Sequence, residues 1–291
     1  MKYKLLVILG VFLVSFAAIF VKLVNINPSV MAMYRLGIGG LILLPFSIFN
    51  NKSASISFSH YKMIFWAGLM TGLHYLTWFT SLQYTSVTSS TLIICSEPLV
   101  VLVFGYLLYR DKITRKQFLI LLMALIGIGI VTWGDIALSK EALLGDVLTF
   151  IAVIFFVIYL FISQNTVKKL SFISYTSLLF ICAGIILLIY NLICGYNLFN
   201  FKAQDWLIII LLAIIPNAGQ VMFNYTLKFV KPSLIATSIL LEPIFATILA
   251  VIFLDDRLSL NQIIGGIIII ASVYIYLYLD QLQLKKAQKN H

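Results

Sequence analysis

Residues 97–112, EPLVVLVFGYLLYRDK, and residues 242–257, EPIFATILAVIFLDDR, read as one segment written twice, 145 positions apart. At that offset Leu82 matches Leu227, Glu97-Pro98 matches Glu242-Pro243, Asp111-Lys112 matches Asp256-Arg257, and Gln117 matches Gln262. The offset is half of the 291-residue chain, as a duplication would leave it. Each copy places a glutamate and a proline in the middle of an apolar run and ends on an acid–base pair. A run of about 20 apolar residues crosses the hydrocarbon core of a bilayer. The two copies are therefore parts of membrane spans, and the fold follows from how many spans flank them.

Ten segments qualify, at roughly 4–24, 29–49, 61–81, 86–108, 116–134, 144–165, 173–193, 205–226, 232–253 and 262–280. Composition agrees: 62% of residues are apolar and 10% charged, which leaves too little polar surface for a soluble domain of this size. The connections are short, the clearest being Asn50-Asn51-Lys52-Ser53. The start of the chain, Lys2 and Lys4 before an apolar run to Val21, superficially resembles a signal peptide. The run is too long for one and lacks a small-residue cleavage site, so it reads as a retained first helix. The expected fold is all-α and integral to the membrane, with ten transmembrane helices. They divide into two five-helix repeats, residues 1–143 and 144–291. Five is odd, so the second repeat enters the bilayer from the opposite side, and inverted repeats of this kind enclose a central cavity near the midplane.

Charge sets the orientation. With both termini on one side, that side carries fifteen basic residues (Lys2, Lys4, Lys52, Lys62, Arg110, Lys112, Arg115, Lys116, Lys168, Lys169, Lys228, Lys231, Lys285, Lys286 and Lys289) against four (Lys22, Lys140, Lys202 and Arg257). By the positive-inside rule the termini are cytoplasmic and the chain is a multi-pass protein of the inner or plasma membrane. The formal charge of +10 does not point to nucleic acid, because the basic residues sit between apolar runs and form no face interleaved with stacking aromatics. Cys95, Cys182 and Cys194 are odd in number and scattered, with no CxxC pair, so neither a disulfide framework nor a metal site is expected. Zinc-protease, phosphate-loop and nucleophile-elbow motifs are absent from the sequence. The reading is of a non-enzyme that needs no cofactor.

Ionisable groups inside spans cost a few kcal/mol at the bilayer centre and are functional candidates by default. Glu97 and Glu242 lie near the middle of the fourth and ninth spans. Each is followed by a proline, Pro98 or Pro243, which has no N–H and clashes with the carbonyl four residues earlier, at Ile94 or Ile239. The helix should bend there, making the prolines candidate hinges. Each glutamate could bind a cationic group, carry a coupling proton, or simply satisfy donors at the kink. Arg35 in the second span needs a counter-charge, and pairing with Glu97 or Glu242 is one solution; contact with an anionic substrate group is the other. His74, Trp78 and Ser81 share one face of the third span, beside Tyr75. They could line a cavity, where the aromatic faces would hold a cation, or pack between helices. Asn217, Gln220 and Asn224 share one face of the eighth span. Three amides on one stripe suit a polar cavity wall, or interhelical hydrogen bonds. The repeat offset places Tyr75 opposite Gln220, so the third and eighth spans read as symmetry mates on two walls of one site. Lys22, near the outer end of the first span, reads as a snorkelling interfacial residue.

These residues also carry a resemblance. Ser15-Phe16-Ala17-Ala18-Ile19-Phe20-Val21-Lys22 with Met33-Tyr34-Arg35-Leu36, the run from Gly72-Leu73-His74 through Trp78 and Ser81-Leu82 to Pro98, and the second-half run from Gln220 through Leu241-Glu242-Pro243 to Gly265-Gly266 together resemble the EamA-like members of the drug/metabolite transporter superfamily. The resemblance covers essentially the whole chain. It implies ten helices, a central cavity and alternating access, in exporters and uptake systems for metabolites, amino acids and drugs. One departure is visible. The family often has Gly-Glu-Arg after helices 4 and 9, where this chain has Arg110-Asp111-Lys112 and Asp255-Asp256-Arg257.

The expected function is secondary transport, as an exporter, of a small polar or amphipathic metabolite such as an amino acid or organic cation. A proton is the expected coupling ion, and a monomer or homodimer the expected assembly. A channel, a lipid-moving protein, or a non-transporting receptor or assembly factor are the alternatives. A channel would need a wide, continuous polar pore.

Overall fold

A computed structural model describes residues 2–49, 58–109, 114–167, 171–230, 235 and 239–289. All secondary structure among the described residues is helical. A helix satisfies every backbone donor and acceptor within its own segment, which an apolar solvent requires. The helices are α1 Lys2–Lys22, α2 Pro28–Phe49, α3 Phe58–Ser81, α4 Val87–Ile94, α5 Glu97–Tyr109, α6 Arg115–Leu138, α7 Ala142–Val167, α8 Phe172–Ile193, α9 Ala203–Thr226, α10 Glu242–Leu254 and α11 Leu260–Lys289, with a 3₁₀ turn at Ile239–Leu241 before α10. Each of the ten expected spans overlaps helix among the described residues, α4 and α5 together making the fourth, and residues 232–234 and 236–238 of the ninth lie outside the described residues. Seven stretches are long and apolar enough to cross a membrane, with Val87–Leu107 counted as one. Two shorter apolar stretches, Glu242–Leu254 and Leu260–Ser272, fall in the ninth and tenth spans. Bulky apolar side chains such as Leu41, Phe49, Leu107, Trp133, Ile193 and Ile267 face outward, the surface a protein presents to lipid.

The bend expected at the first proline is a break. α4 ends at Ile94, and Cys95 and Ser96 form a turn from which Leu99 N–H and Val100 N–H donate to the Ser96 carbonyl, at 2.9 and 3.1 Å. Pro98 then sits in the first turn of α5, where its missing N–H leaves no helical bond unmade. Pro243 has the same position in α10. Both glutamates thus stand at the N-terminus of a half-helix, a favourable place for negative charge.

The helices after these half-spans start alike. Thr114 N–H donates to Gln117 Oε1 at 2.9 Å, and Gln117 N–H donates to Thr114 Oγ1 at 3.3 Å. The same reciprocal pair joins Ser259 and Gln262 at 3.0 and 3.2 Å. These are capping boxes, and they give the Gln117/Gln262 match of the repeat a structural reason. The family pattern's glycine position after helix 9 also has one. Asp255 caps α10 with φ 52°, a left-handed conformation that glycine adopts freely. The corresponding Arg110-Asp111-Lys112 lies outside the described residues.

Packing is dominated by four pairs: α2 on α8, α3 on α7, α1 on α9, and α6 on α11. The first is close because a Cβ on Gly184 would lie 2.9 Å from the Gly37 backbone, so the two helices touch main chain to main chain.

Candidate functional site

The site assembles from α2, α3, α7, α9 and the N-termini of α5 and α10. A cavity of about 20 Å³ lies where they meet, and its walls include His74, Tyr75, Trp78, Gln220, Glu97 and Glu242. Ile94, whose carbonyl Pro98 deprives of its usual helical donor, and Ile239 line the same cavity. Six of the sequence-derived candidates are therefore brought together. Arg35, Asn217 and Asn224 are not on the cavity wall, and Pro98 and Pro243 stand beside it in the first turns of their half-helices.

Arg35 is fully buried. Its Nε donates to Asn217 Oδ1 at 3.1 Å, its Nη2 donates to the Tyr75 hydroxyl at 3.1 Å, and Asn217 Nδ2 donates back to the Arg35 carbonyl at 2.6 Å. The guanidinium carbon stands 4.1 Å from the centre of the Tyr75 ring, a cation–π contact. Asn217 fits because Gly39 leaves the room a Cβ would occupy. Arg35 makes no ion pair with Glu97 or Glu242, so the pairing expected from the sequence is replaced by an amide, a phenol and an aromatic face. Glu242 still interacts electrostatically with both Arg35 and Glu97.

The amide stripe of α9 is threaded onto one hydrogen-bond chain. Tyr75 donates to Gln220 Oε1 at 3.2 Å, Gln220 Nε2 donates to the Tyr159 hydroxyl at 2.9 Å, and Tyr159 donates to Asn224 Oδ1. Asn217 and Asn224 thus serve the frame of the site, and Gln220 alone of the three reaches the cavity. Sequence reasoning missed Tyr159. Phe156, Tyr159 and Ser163 share one face of α7 at three- and four-residue spacings, the signal that would have marked it.

His74 is held by its Nδ1, 3.0 Å from the Ala152 carbonyl. A carbonyl only accepts, so Nδ1 carries the proton and Nε2 is left as an acceptor. Its ring stacks on Trp78 with centroids 5.7 Å apart and meets Tyr75 edge-on at 4.7 Å. Trp78 Nε1 donates to Ser90 Oγ at 3.1 Å; Ser90 contacts Thr149 at 3.2 Å, and Thr149 donates to Ser81 Oγ at 2.9 Å. This knot of hydroxyls ties α3 to α4 and α7 on one side of the cavity. Nearer the α3–α4 connection, Lys22 Nζ donates to the Thr85 carbonyl at 2.9 Å and Thr85 Oγ1 donates to Asp146 at 2.9 Å. Lys22 therefore ties α1 to the α3–α4 turn.

Two oxygens in the cavity's surroundings accept nothing from the protein. Glu97 Oε2 and Glu242 Oε1 have no hydrogen-bond partner, although the residues are only 1% and 3% exposed. Among the described residues no three His, Cys, Asp or Glu side chains cluster as a metal site.

The comparisons with known proteins place this helical chain among transporters. The model of the EamA-like transporter family matches residues 1–133 and 143–278, so the chain belongs to that family. It is 24% identical over 268 residues to an uncharacterised transporter of Archaeoglobus fulgidus, covering 90% of this chain and 91% of that one. It is 24% identical to the uncharacterised transporter YyaM of Bacillus subtilis, covering 85% and 83%. A crystal structure superposes with a TM-score of 0.69 at 14% identity, covering 97% of this chain and 98% of that one, a likeness of fold. The protein is a multi-pass membrane protein of a transporter family.

Proposed function

We propose that the chain is a secondary transporter that exports a small polar or amphipathic metabolite, an amino acid or organic cation, by alternating access across the cell membrane. Its termini are cytoplasmic, and it performs no catalysis. Residues 1–143 and 144–291 form inverted halves, with the cavity between them as the translocation site. His74, Tyr75, Trp78 and Gln220 contact substrate, Asn217 and Asn224 hold that wall in place, and Arg35, Glu97 and Glu242 handle charge. A coupling cation, a proton in the simplest scheme, is held at the glutamates. The breaks at Pro98 and Pro243 act as joints.

The observation that carries this reading is the hydrogen bond between Tyr75 and Gln220, residues 145 positions apart and equivalent under the repeat. Equivalent residues touch only where a pseudo-two-fold axis passes. The dominant packing pairs support the same operation. Exchanging halves sends α3·α7 to α9·α1 and returns α2·α8 and α6·α11 to themselves, which are the four dominant pairs. Ligand pockets usually enclose about 300–1,000 Å³, so a 20 Å³ cavity is a closed form that must open to admit substrate.

A lipid-moving reading would rest on a lateral cavity of about 400 Å³ between α2 and α8, with Met33, Ile38, Leu41, Ile185 and Leu188 on its walls. Those walls suit an acyl chain and offer nothing charged to a headgroup. Reconstitution into proteoliposomes and a flux screen of amines, amino acids and nucleosides tests the transporter reading. Saturable flux above protein-free vesicles is expected for at least one class; absence of flux for every class, in both directions, refutes it.

A further inference from the structure

We propose that the cavity at the N-termini of α5 and α10 is a binding site for one dehydrated sodium ion, held between Glu97 and Glu242. Four observations converge on it. The first is charge. Were both carboxyl groups ionised, Glu97 and Glu242 would set two negative charges against the one positive charge of Arg35, a sum of −2 + 1 = −1 for the interacting groups. His74 adds none at neutral pH, where an imidazole with its Nδ1–H on a carbonyl is an uncharged acceptor. One monovalent cation completes the balance.

The second is the donor set. Glu97 Oε2 and Glu242 Oε1 accept no hydrogen bond, and each residue is more than nine-tenths buried. Ile94 lines the same cavity, and Pro98 denies its carbonyl the usual helical donor. The offered ligands are hard carboxylate oxygens, beside a helix start where the Ile94 carbonyl lacks its usual donor. A proton would engage one of these two carboxylate oxygens and leave the other as it is.

The third is size. A water-sized body needs about 10–15 Å³, and the cavity measures about 20 Å³. One bare ion fits and an organic ammonium group with its substituents does not. The fourth is field strength. Two carboxylates on the wall of a site of that size favour the smaller, more strongly bound alkali ion, sodium over potassium. A divalent ion would reverse the charge imbalance instead of cancelling it, and the described residues place no third acid or imidazole there in a metal-binding cluster.

Binding itself follows from the cavity alone; the ion's role in driving transport rests on the reading of this cavity as the translocation site. The test is thermal unfolding of the detergent-purified protein, followed by its tryptophan fluorescence, in NaCl, KCl and choline chloride at constant ionic strength and pH. Binding to the folded state raises the melting temperature with ligand concentration. A saturable upward shift in sodium is expected, flat responses in potassium and choline, and loss of the sodium shift in Glu97→Gln and Glu242→Gln. Equal responses to all three salts overturn the proposal. So does a response to pH alone with sodium inert, or a sodium shift that survives both substitutions. The wild-type salt series decides the matter even where a variant does not fold. Substrate flux in sodium-free vesicles separates the two readings: flux without any sodium effect leaves the transporter reading standing and removes the ion, whereas sodium binding without flux does the reverse.

Discussion

Replacing Asn217 by alanine should loosen the protein at its most buried charge. Asn217 makes two hydrogen bonds to Arg35, accepting from Nε at 3.1 Å and donating to the main-chain carbonyl at 2.6 Å. A bond to a charged group contributes about 1.5–3 kcal/mol and a neutral one about 0.5–1.5 kcal/mol. Interhelical bonds measured in membranes fall at the lower end, about 0.6–2 kcal/mol each. Arg35 Nη1 already lacks a partner, so the truncated site would leave the guanidinium held only by Nη2 and the Tyr75 face. The expected loss is about 2–4 kcal/mol, read as a shift in the denaturant midpoint for unfolding in mixed micelles. Asn217→Asp keeps the acceptor for Nε, loses the donor, and sets a carboxylate against the guanidinium, so it should cost less than alanine. An alanine variant within about 0.5 kcal/mol of wild type would mean that Arg35 is not held as described.

Two further outcomes follow from local geometry. Asp255, with φ 52° and an exposed side chain, should become more stable by about 0.5–1 kcal/mol on change to glycine; a lower melting temperature for Asp255→Gly would show that the left-handed cap is not populated. Gly184→Ala should cost about 1–3 kcal/mol, because its Cβ would stand 2.9 Å from the Gly37 backbone. Gly37→Ala should be tolerated, since a Cβ there meets nothing within 4 Å. Equal melting temperatures for the two alanine variants would contradict the α2–α8 contact.

How much of this was legible in the sequence depends on whether the signal is local. The spans were readable because a helix must bury its own backbone bonds over a fixed apolar length. Pro98 and Pro243 announced a disturbance, but that it is a break with the glutamates at half-helix N-termini depends on where Ser96 turns the chain. The face shared by Asn217, Gln220 and Asn224 was readable from spacing. That Gln220 meets the cavity while Asn217 clasps Arg35 was not, because a shared face fixes direction and says nothing of depth. The capping boxes at Thr114 and Ser259 were present as Thr/Ser-x-x-Gln and were overlooked in favour of the Gln117/Gln262 match alone. Pairings such as Trp78 with Ser90 and Thr149, or Tyr159 with Asn224, join separate helices and have no signature in either segment. The expected Arg35–glutamate pair failed for a related reason. Charge complementarity names candidates, and the nearer Tyr75 face and Asn217 amide took the guanidinium first.

The most direct test of the cavity as the translocation site is the flux of a transported substrate through proteoliposomes carrying the Glu97→Gln/Glu242→Gln double variant, measured beside wild type at matched amounts of folded protein. Both carboxylates border this cavity, and the amide keeps their shape while removing their charge. Flux should fall to the level of protein-free vesicles. Flux at the wild-type rate would place the pathway elsewhere in the protein.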